Sequence, residues 1–344
     1  MRQEVSTMTD RLLEICAIDG TSGDESAVRD YIMSRIKADK IFTDNLGSLI
    51  VFKKGRKTPK NKIMFAAHMD EVGFMVTDIT ADGFLRFGAV GGVDPRVVLG
   101  RSLRFKNGTC GVVGTKAVHQ QSADERKKAP DFSDMLIDIG VSSREEAEKL
   151  VSRGDCAVFD SDSFKFGDGF IKSKAIDDRA GCLILMDMIN GTPEYDAWYA
   201  FTVQEEVGTR GAQAAAFTVD PDIAVVLEST TACDIADTSG EKRVCELGKG
   251  CVVSFMDRLT IYDRELYKLA RETGDRLGIP TQTKTLIAGG NDSGAIHVSR
   301  GGVRTCALSV PCRYLHSPSC VIKESDFEAT AKLANAVLSE FAEL

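Results

Sequence analysis

Residues 198–228 read WYAFTVQEEVGTRGAQAAAFTVDPDIAVVLE, and this stretch decides the fold class. Residues 198–203 and 223–227 are short runs of aromatic and β-branched side chains, which are typical of buried strands. The alanine-rich residues 209–217 between them predict a helix. Two strands joined by a helix form the unit from which parallel sheets are built, so the stretch predicts an α/β fold.

The same alternation continues on both sides of this unit. Further helices are predicted for residues 8–18, 177–189, 259–277 and 324–341, and further strands for residues 48–52, 63–67 and 303–308. The first 18 residues mix both charges with apolar positions, which indicates a helix and not a signal peptide. Ser22 and Glu25 have the spacing of a capping box and predict a second N-terminal helix. The whole pattern predicts a mixed sheet with helices on both faces.

A segment of different composition interrupts this pattern. Between residues 71 and 162, Gly, Asp and Asn recur at close intervals and the apolar runs are short and β-like. One helix is expected there, residues 142–153, opened by Ser142 with Glu145 three residues later. The sequence therefore predicts a catalytic domain built from residues 1–70 plus 163–344, with residues 71–162 inserted as a small β-rich module.

Composition excludes several classes of protein. Hydrophobic residues make up 43% of the 344 residues and charged residues 27%, which is typical of a globular chain. A net charge of −8 argues against binding nucleic acid, and no apolar run approaches the ~18 residues of a membrane span. Ten cysteines without a C-x-x-C pair indicate buried thiols in a reducing compartment. We expect a cytoplasmic protein that binds neither nucleic acid nor a membrane.

Ionisable side chains follow several of the predicted strands directly. Ligands of an open α/β sheet bind at the carboxyl ends of its strands, so these side chains should lie close together. They are His68, Asp70, Glu205, Glu206, Glu228 and His316, joined by Asp177 and Asp178 at the start of a predicted helix. Imidazole and carboxylate ligands without thiolates suit zinc, manganese or cobalt in a hydrolytic site.

The residue types also suggest separate roles. A pair of metal ions needs a bridging carboxylate, which Asp177 at a helix start can provide. Glu205 and Glu206 should point opposite ways on an extended segment, so that one binds metal while the other acts as general base. Asp70 could accept the second N–H of His68, and Asp178 could cap the helix.

Four strings in this order resemble a known family: AAHMDEVG, SKAIDDRAGC, TVQEEVGTRGA and VPCRYLHS. They are similar to the dinuclear metallo-aminopeptidases of the glutamyl/deblocking family, the self-compartmentalising tetrahedral enzymes, some of which have been labelled endoglucanases. The similarity extends over essentially the whole chain. It implies two divalent ions, zinc first with cobalt or manganese as alternatives, and removal of the N-terminal residue from short peptides that have a free N-terminus.

The resemblance also implies residue roles and an assembly. His68, Asp177 and Glu228 would hold one ion, Asp177, Glu206 and His316 the other, Glu205 would be the general base, and Asp70 would support His68. Many relatives have Asp where Glu228 stands, and the loop of residues 116–130 matches them only loosely. That loop lies near a subunit boundary in relatives, so the inserted module is expected to mediate a homo-oligomer, possibly a dodecamer.

Three other functions are alternatives to this interpretation. Another amide hydrolase of the deacetylase kind, on the same dinuclear scaffold, is the main alternative. A glycoside hydrolase needs only two carboxylates and gives His68 and His316 no role. A non-catalytic assembly protein should have lost a metal ligand. No H-E-x-x-H, G-x-S-x-G or phosphate-loop motif is present.

Overall fold

The computed structural model describes residues 7–344, which form an eight-stranded sheet, a three-stranded sheet and a closed six-stranded barrel. Residues 1–6, part of the predicted N-terminal helix and of the predicted catalytic domain, lie outside the described residues. No helix within residues 7–344 is long and apolar enough to cross a membrane.

The helices are α1 Met8–Cys16, α2 Ser26–Arg35, α3 Arg144–Ala147, α4 Ile176–Asn190, α5 Arg210–Val219, α6 Arg264–Leu277, α7 Ser293–Ile296 and α8 Glu324–Ala342. The large sheet contains β1 Lys40–Thr43, β2 Leu49–Lys53, β3 Ile63–His68, β12 Ala197–Thr202, β13 Ile223–Thr231, β14 Cys251–Val253, β15 Thr281–Thr283 and β16 Arg304–Cys312. The barrel contains β4 Gly73–Ile79, β5 Leu85–Val90, β6 Ser102–Phe105, β7 Cys110–Thr115, β8 Met135–Asp138 and β9 Cys156–Phe159. The small sheet contains β10 Phe164–Phe166, β11 Phe170–Ser173 and β17 Cys320–Lys323.

The centre of the large sheet is parallel. Its strand order is β1-β2-β12-β3-β13-β16-β14-β15, and β12, β3, β13 and β16 all run in the same direction. The antiparallel pairs β2–β12 and β14–β16 flank this centre. The carboxyl ends of the four central strands therefore meet at one edge of the sheet.

Helices cover both faces of this sheet, and the side chains of β3 explain why. Ile63, Phe65 and Ala67 belong to the apolar core that also includes residues of α1, α4 and α8. The alternate residues Met64 and Ala66 belong to a second core with alanines of α5. Because successive strand residues point to opposite faces, a fully apolar strand must be covered on both sides. The predicted mixed α/β fold is confirmed.

The barrel has a core of its own. Phe74 packs edge to face against Phe87 and Phe159, with ring centroids 5.5 and 5.0 Å apart. All six barrel strands lie within residues 73–159, so a small β-rich module is present where the sequence predicted one. The exact domain boundaries, 71–162 within 1–70 plus 163–344, remain a prediction.

Two predicted helix starts are wrong. Ser22 does not cap α2; its hydroxyl donates to Asp70 at 2.6 Å, and the capping box of the N-terminal region is formed by Thr7 and Asp10. The helix predicted for residues 142–153 is the single turn α3, capped by Ser143 in place of Ser142. In both cases a Ser with a Glu three residues later matched the motif, but the Ser22 hydroxyl bonds to Asp70 and the hydroxyl of Ser143 accepts the N–H of Glu146 as the cap of α3.

Candidate metal centre

Five elements place ionisable side chains at the carboxyl edge of the central strands. His68 is the last residue of β3, and Thr202 at the end of the neighbouring β12 is level with it. Glu228 lies within β13, while His316 follows β16 and Asp177 lies at the start of α4. The structure thus brings together side chains that lie far apart in the sequence, as parallel strand ends are expected to do.

Asp177 lies between two histidines and presents a different oxygen to each. Its Oδ1 is 3.4 Å from His68 Nε2, and Glu228 Oε1 is also 3.4 Å from that nitrogen. Its Oδ2 is 3.4 Å from His316 Nε2, and Glu206 Oε1 is 3.3 Å from that nitrogen. The arrangement is two three-residue sets that share Asp177, each with one imidazole and two carboxylates.

These spacings fit metal ligation. Zinc bonds to nitrogen and oxygen of about 2.0–2.1 Å give tetrahedral ligand atoms that are about 3.3–3.4 Å apart. The observed 3.3–3.4 Å separations match this value and exceed the ~2.7–3.2 Å of ordinary hydrogen bonds. Asp177 Oδ1 is buried and accepts no hydrogen bond from the described residues. A divalent cation would satisfy that oxygen, so the residues fit the pair of ions that the sequence predicts.

Ligand atoms within 4.8 Å of one another form two overlapping sets: His68, Asp177 and Glu206, and Asp177, Asp178 and Glu228. Asp177 is common to both sets, as it is in the distances given above. Asp178 Oδ1 accepts the backbone N–H of Gly181 at 3.0 Å, which is the bond of a helix-capping side chain. That bond gives Asp178 a structural role that does not require a metal ion.

Glu205 and Glu206 do not follow the predicted extended path. β12 ends at Thr202, and the chain turns at Gln204, which has a φ of 57°. Both glutamates line the same cavity as Asp177. The extended segment on which the opposite directions of the two glutamates rested is therefore absent, because a left-handed residue before them ends the strand geometry, and their division of roles stays a prediction.

Asp70 fixes the backbone of this turn. Its Oδ1 accepts the N–H of Glu205 at 3.0 Å and its Oδ2 accepts the N–H of Glu206 at 3.1 Å. Its Oδ1 is 3.6 Å from His68 Nδ1, whereas the Asp70 backbone carbonyl is 3.0 Å from that nitrogen. The carbonyl is the nearer acceptor for the imidazole, and the carboxylate mainly orients the two glutamates.

The barrel contributes a group that the sequence did not reveal. The carbonyl oxygen of Gly92, in the loop after β5, is 2.9 Å from His316 Nδ1. If that nitrogen donates its proton to Gly92, the lone pair of Nε2 faces Asp177 and Glu206. A Cβ at Gly91 would lie 3.2 Å from the Cβ of Glu206, so the GGVDPR loop approaches the site closely.

Strained backbone and a buried arginine hold the site. Ala175, Gln204 and His316 have φ values of 54°, 57° and 57°, which non-glycine residues rarely adopt and which cluster at functional sites. Arg179 is fully buried and donates to the carbonyl oxygens of Met69, Ile15 and Ile18, each at 2.8 Å. An arginine inside the otherwise apolar run of α4 is the sequence feature that indicates such a buried role.

The electrostatics reflect crowded, buried carboxylates. Burial raises the pKa of Glu205 and of Glu228 well above the ordinary range and raises that of Glu206 to about 7. Burial has the same tendency at Asp177, but the facing imidazoles of His316 and His68 lower its pKa. Burial opposes the charged form of His316, yet the facing Asp177 raises its pKa to about 10. Such a site is stabilised by added positive charge.

The metal-ligand candidates open into a cavity of about 570 Å³. Glu205, Glu206, Asp177, Glu228 and His316 all line it, together with residues from 229–233 and 284–291. Asn291 is at the cavity wall, whereas Asp292 is buried and accepts the hydroxyl of Thr202 at 2.5 Å. His297 Nδ1 is 2.8 Å from the Ser293 carbonyl, a local contact within a short helical turn.

Comparison with known proteins identifies related sequences. The profile of the M42 glutamyl aminopeptidase family matches residues 47–333. A protein of Acetivibrio thermocellus, provisionally named an aminopeptidase, is 43% identical over 334 residues, 96% of this chain and 98% of that protein. The lysyl aminopeptidase of Pyrococcus furiosus is 34% identical, covering 93% and 94% of the two chains. The glutamyl aminopeptidase of Lactococcus lactis is 30% identical, covering 96% and 95%.

Solved structures resemble the fold over nearly its full length. An aminopeptidase of Desulfurococcus kamchatkensis superposes with a TM-score of 0.91 at 32% identity, covering 97% of this chain and 94% of that chain. The TET1 peptidase of Pyrococcus horikoshii, which can assemble into a tetrahedron or a large octahedral shell, gives 0.84 at 34% identity, with coverage of 96% and 99%. A Thermotoga maritima protein described as an endoglucanase gives 0.79 at 37% identity, with coverage of 96% and 97%.

Proposed function

The chain belongs to the M42 glutamyl aminopeptidase family, and we propose that it removes N-terminal residues from short peptides with two divalent ions and Glu205 as general base. Membership of the family, which the four sequence strings predicted, makes the protein a hydrolase of the exopeptidase class. The observation that carries the finer proposal is Asp177, whose two oxygens face two different imidazole–carboxylate sets.

Peptidases of this family depend on metal ions, and the donor set suits zinc first, with cobalt or manganese as alternatives. We assign His68, Asp177 and Glu228 to one ion, and Asp177, Glu206 and His316 to the other. Ions bound there would polarise the scissile carbonyl and lower the pKa of a water molecule from ~15.7 toward ~7. Asp70 orients the backbone of Glu205 and Glu206, and Gly92 orients His316.

Glu205 is the proposed base because it lines the cavity next to the assigned metal ligands but is not assigned as a ligand itself. Its side-chain carboxylate makes no hydrogen bond to the described residues, so it is available to a water molecule. Its Oε atoms would take the proton of the attacking water and return it to the leaving amine. Burial raises the pKa of Glu205 above its ordinary range, the direction that makes a carboxylate a stronger base.

The test is hydrolysis of aminoacyl-p-nitroanilides and of free-amine peptides by protein loaded with zinc, cobalt or manganese. We expect metal-dependent release of single N-terminal residues, lost on chelation and restored by adding the metal back. Glu205→Gln should lower kcat by about 10²–10⁴-fold, the usual contribution of a general base. Its metal content, measured by elemental analysis, should stay at the wild-type value because Glu205 is not assigned as a ligand.

Two control substrates separate the alternatives. An N-acetylated peptide tests the deacetylase-like amide hydrolase, and a β-glucan oligosaccharide tests the endoglucanase description of the Thermotoga maritima neighbour. Cleavage of either one in place of free-amine peptides would overturn the aminopeptidase proposal. Glucan cleavage that survives chelation would in addition indicate catalysis by a carboxylate pair alone.

A homo-oligomer with the β-rich module at its contacts is also proposed. Support comes from the assembly of the TET1 peptidase and from apolar side chains that the barrel exposes. Leu99, Val112 and Val118 are 40%, 51% and 66% exposed. A dodecamer is the proposed size. The cytoplasmic location stays a prediction from cysteine usage.

A further inference from the structure

A second cavity adjoins the one that contains the metal-ligand candidates. Its volume is about 460 Å³, and it lies between the β5–β6 loop of the barrel and the chain that follows β16. Both cavities are lined by Gly92, Thr231, Leu315 and His316, so they meet at a candidate ligand. A peptide held at the ligands in the first cavity can therefore extend past His316 into the second.

Arg101, the residue before β6, brings a positive charge to the wall of this second cavity. Its Nε donates to the carbonyl oxygen of Val97 at 3.2 Å, which anchors the guanidinium to the loop. No carboxylate within residues 7–344 lies inside the 4.0 Å that defines an ion pair with it. Because a guanidinium carries five N–H donors, four remain for a ligand.

The acidic residues near Arg101 are associated with other cations. The Asp94 carboxylate lines the same cavity, but both of its oxygens accept Arg96 Nε at 3.0 Å, and Arg96 lowers the pKa of Asp94 to about 2. Burial lowers the pKa of Lys172 on β11, Asp162 opposes that shift and Arg101 adds to it, so Lys172 lies near both. Asp94 thus belongs to Arg96 and Asp162 has Lys172 beside it, which leaves the Arg101 guanidinium for an incoming anion.

The cavity suits the end of a short peptide. Its volume is at the low end of the ~300–1,000 Å³ of small-molecule sites, and Val97, Leu315 and Pro318 give it apolar walls that can cover side chains. The group that makes every peptide anionic at one end is the C-terminal carboxylate, which is ionised at neutral pH. An arginine binds such a carboxylate through two parallel N–H···O bonds.

Resting on the proposed aminopeptidase function, we propose that the second cavity receives the residues after the scissile bond and that Arg101 binds the C-terminal carboxylate of a short peptide there. The substrate class is a dipeptide or tripeptide with both ends free. Because each extended residue spans ~3.3–3.6 Å, a longer peptide carries its carboxylate beyond the guanidinium and loses this contact. Arg101 is thus a specificity-determining residue for peptide length and takes no part in bond cleavage.

The test compares peptides of two, three, five and six residues, each as the free acid and as the C-terminal amide. Each begins with the residue that the p-nitroanilide panel ranks first and continues with alanine. In the wild type, kcat/KM for the acid should exceed that for the amide by about 3–10-fold at two or three residues, the effect of a charge-assisted bond that stays partly in water. The ratio should be close to one at five and six residues, and added salt should lower it at the short lengths.

Substitutions at Arg101 should change this ratio in a graded way. Arg101→Met should bring it close to one at every length, chiefly by raising KM for the short acids. Arg101→Lys keeps the charge without the planar fork and should retain part of the preference, whereas Arg101→Glu should favour the amides. Aminoacyl-p-nitroanilides, which have no carboxylate, normalise each variant for the state of its metal centre.

The matched control is Arg86→Met, at an exposed arginine of β5 that lines neither cavity and has no ion pair within the described part of the chain. It should leave the acid/amide ratio unchanged. Equal rates for acids and amides in the wild type would overturn the proposal. A preference for short acids that survives Arg101→Met would also overturn it, because another group, such as a bound metal ion, would then hold the carboxylate.

A binding measurement separates this inference from the catalytic proposal. Calorimetry with metal-loaded Glu205→Gln protein should show tighter binding of the tripeptide acid than of its amide. The difference should disappear in the Glu205→Gln/Arg101→Met double variant. If no free-amine peptide is cleaved but this difference in binding is found, the catalytic proposal fails and the subsite stands. If cleavage occurs and the two tripeptides bind equally, the subsite fails alone.

Discussion

Glu228 reaches His68 through a side chain one methylene longer than aspartate, and its Oε1 is 3.4 Å from His68 Nε2. The residue lies within β13, whose backbone position is fixed by pairing with β16 on one side and β3 on the other. A rigid strand cannot move toward the ion to compensate for a shorter side chain. The length of this one residue therefore sets the position of the carboxylate that we assign to the first ion.

Glu228→Asp should weaken binding of one ion by about 10–100-fold, the range seen when groups around a metal are misplaced. The carboxylate would withdraw by about 1.5 Å, one carbon–carbon bond. Glu228→Gln keeps the side-chain length and removes the charge, so it measures the contribution of the charge alone. Zinc affinity and stoichiometry are measured by competition with a chromophoric chelator.

The control for a one-methylene change is Glu272→Asp, an exposed exchange on α6. It should leave the metal affinity at the wild-type value. Wild-type affinity and two bound ions in both Glu228 variants would remove Glu228 from the ligand set and leave Asp178 as the neighbouring carboxylate to test.

α6 depends on the residue that begins it. The Oδ1 atom of Asp263 accepts the backbone N–H groups of Glu265 and Leu266 at 2.9 and 3.0 Å, which satisfies two donors of the first turn. Its Oδ2 accepts Arg304 Nε at 2.8 Å. Arg304 begins β16, so the same carboxylate ties the helix to the strand that leads to His316.

Asp263→Ala should lower the free energy of unfolding by about 1 kcal/mol for the lost cap, plus ~0.2–1 kcal/mol for the partly exposed ion pair. Asp263→Asn should retain most of the cap and lose mainly the ion pair. The hydrogen bond from Arg304 lowers the pKa of Asp263 below its ordinary 3.8. The charge contribution is therefore fully present above that ordinary value and is lost as pH falls through the lower pKa of the folded state.

Thermal unfolding of the metal-loaded proteins between pH 8 and pH 3 checks this. The difference between the wild type and Asp263→Asn should be constant down to about pH 5 and should shrink below about pH 4. A difference that grows on acidification has the wrong sign for a carboxylate with a lowered pKa. Equal stability of the Ala and Asn variants at pH 7 would mean that the cap contributes nothing measurable.

The sequence predicted the placement of ligand types better than the geometry around them. His68, Glu228 and His316 could be placed at one edge because apolar runs identify buried strands and parallel strands share a carboxyl edge. The left-handed backbone at Gln204 could not be predicted, since nothing in a glutamine side chain requires it. The directions of Glu205 and Glu206 depend on that backbone. Likewise, Ser22 bonds to Asp70 and does not cap a helix because the tertiary fold brings that carboxylate near.

Contacts between distant parts of the chain were the hardest to predict from the sequence. Gly92 and His316 are 224 residues apart, and the hydrogen bond between them exists only because the barrel packs against the strand ends. Periodicity reports on local structure, so it reveals the barrel as a module but not the loop that it directs into the site. The barrel therefore has a role in orienting His316 that is separate from the assembly role proposed for it.

Assembly through the barrel can be tested with a single charge. Leu99 and Val118 line one groove of about 1020 Å³ on the outside of the barrel, bounded by residues 116–131. Exposed apolar side chains that line one groove are typical of a subunit contact. Val118→Asp would place an unpaired carboxylate in such a contact, where desolvating a charge costs several kcal/mol. We expect native mass spectrometry to find the wild type as a multiple of the 37.3 kDa chain and this variant as smaller species.

The matched control is Val298→Asp, at a valine outside the barrel that is 64% exposed, close to the 66% of Val118. It adds the same charge at the same degree of exposure, so it should leave the assembly intact. Dissociation by the Val298 change with no effect of the Val118 change would move the contact away from the barrel, and a monomeric wild type would end the oligomer proposal. Because the barrel also supplies Gly92 to His316, the metal content of the dissociated Val118 variant shows whether the site needs a neighbouring subunit. Retention of both ions would mean that each subunit holds its metal centre by itself.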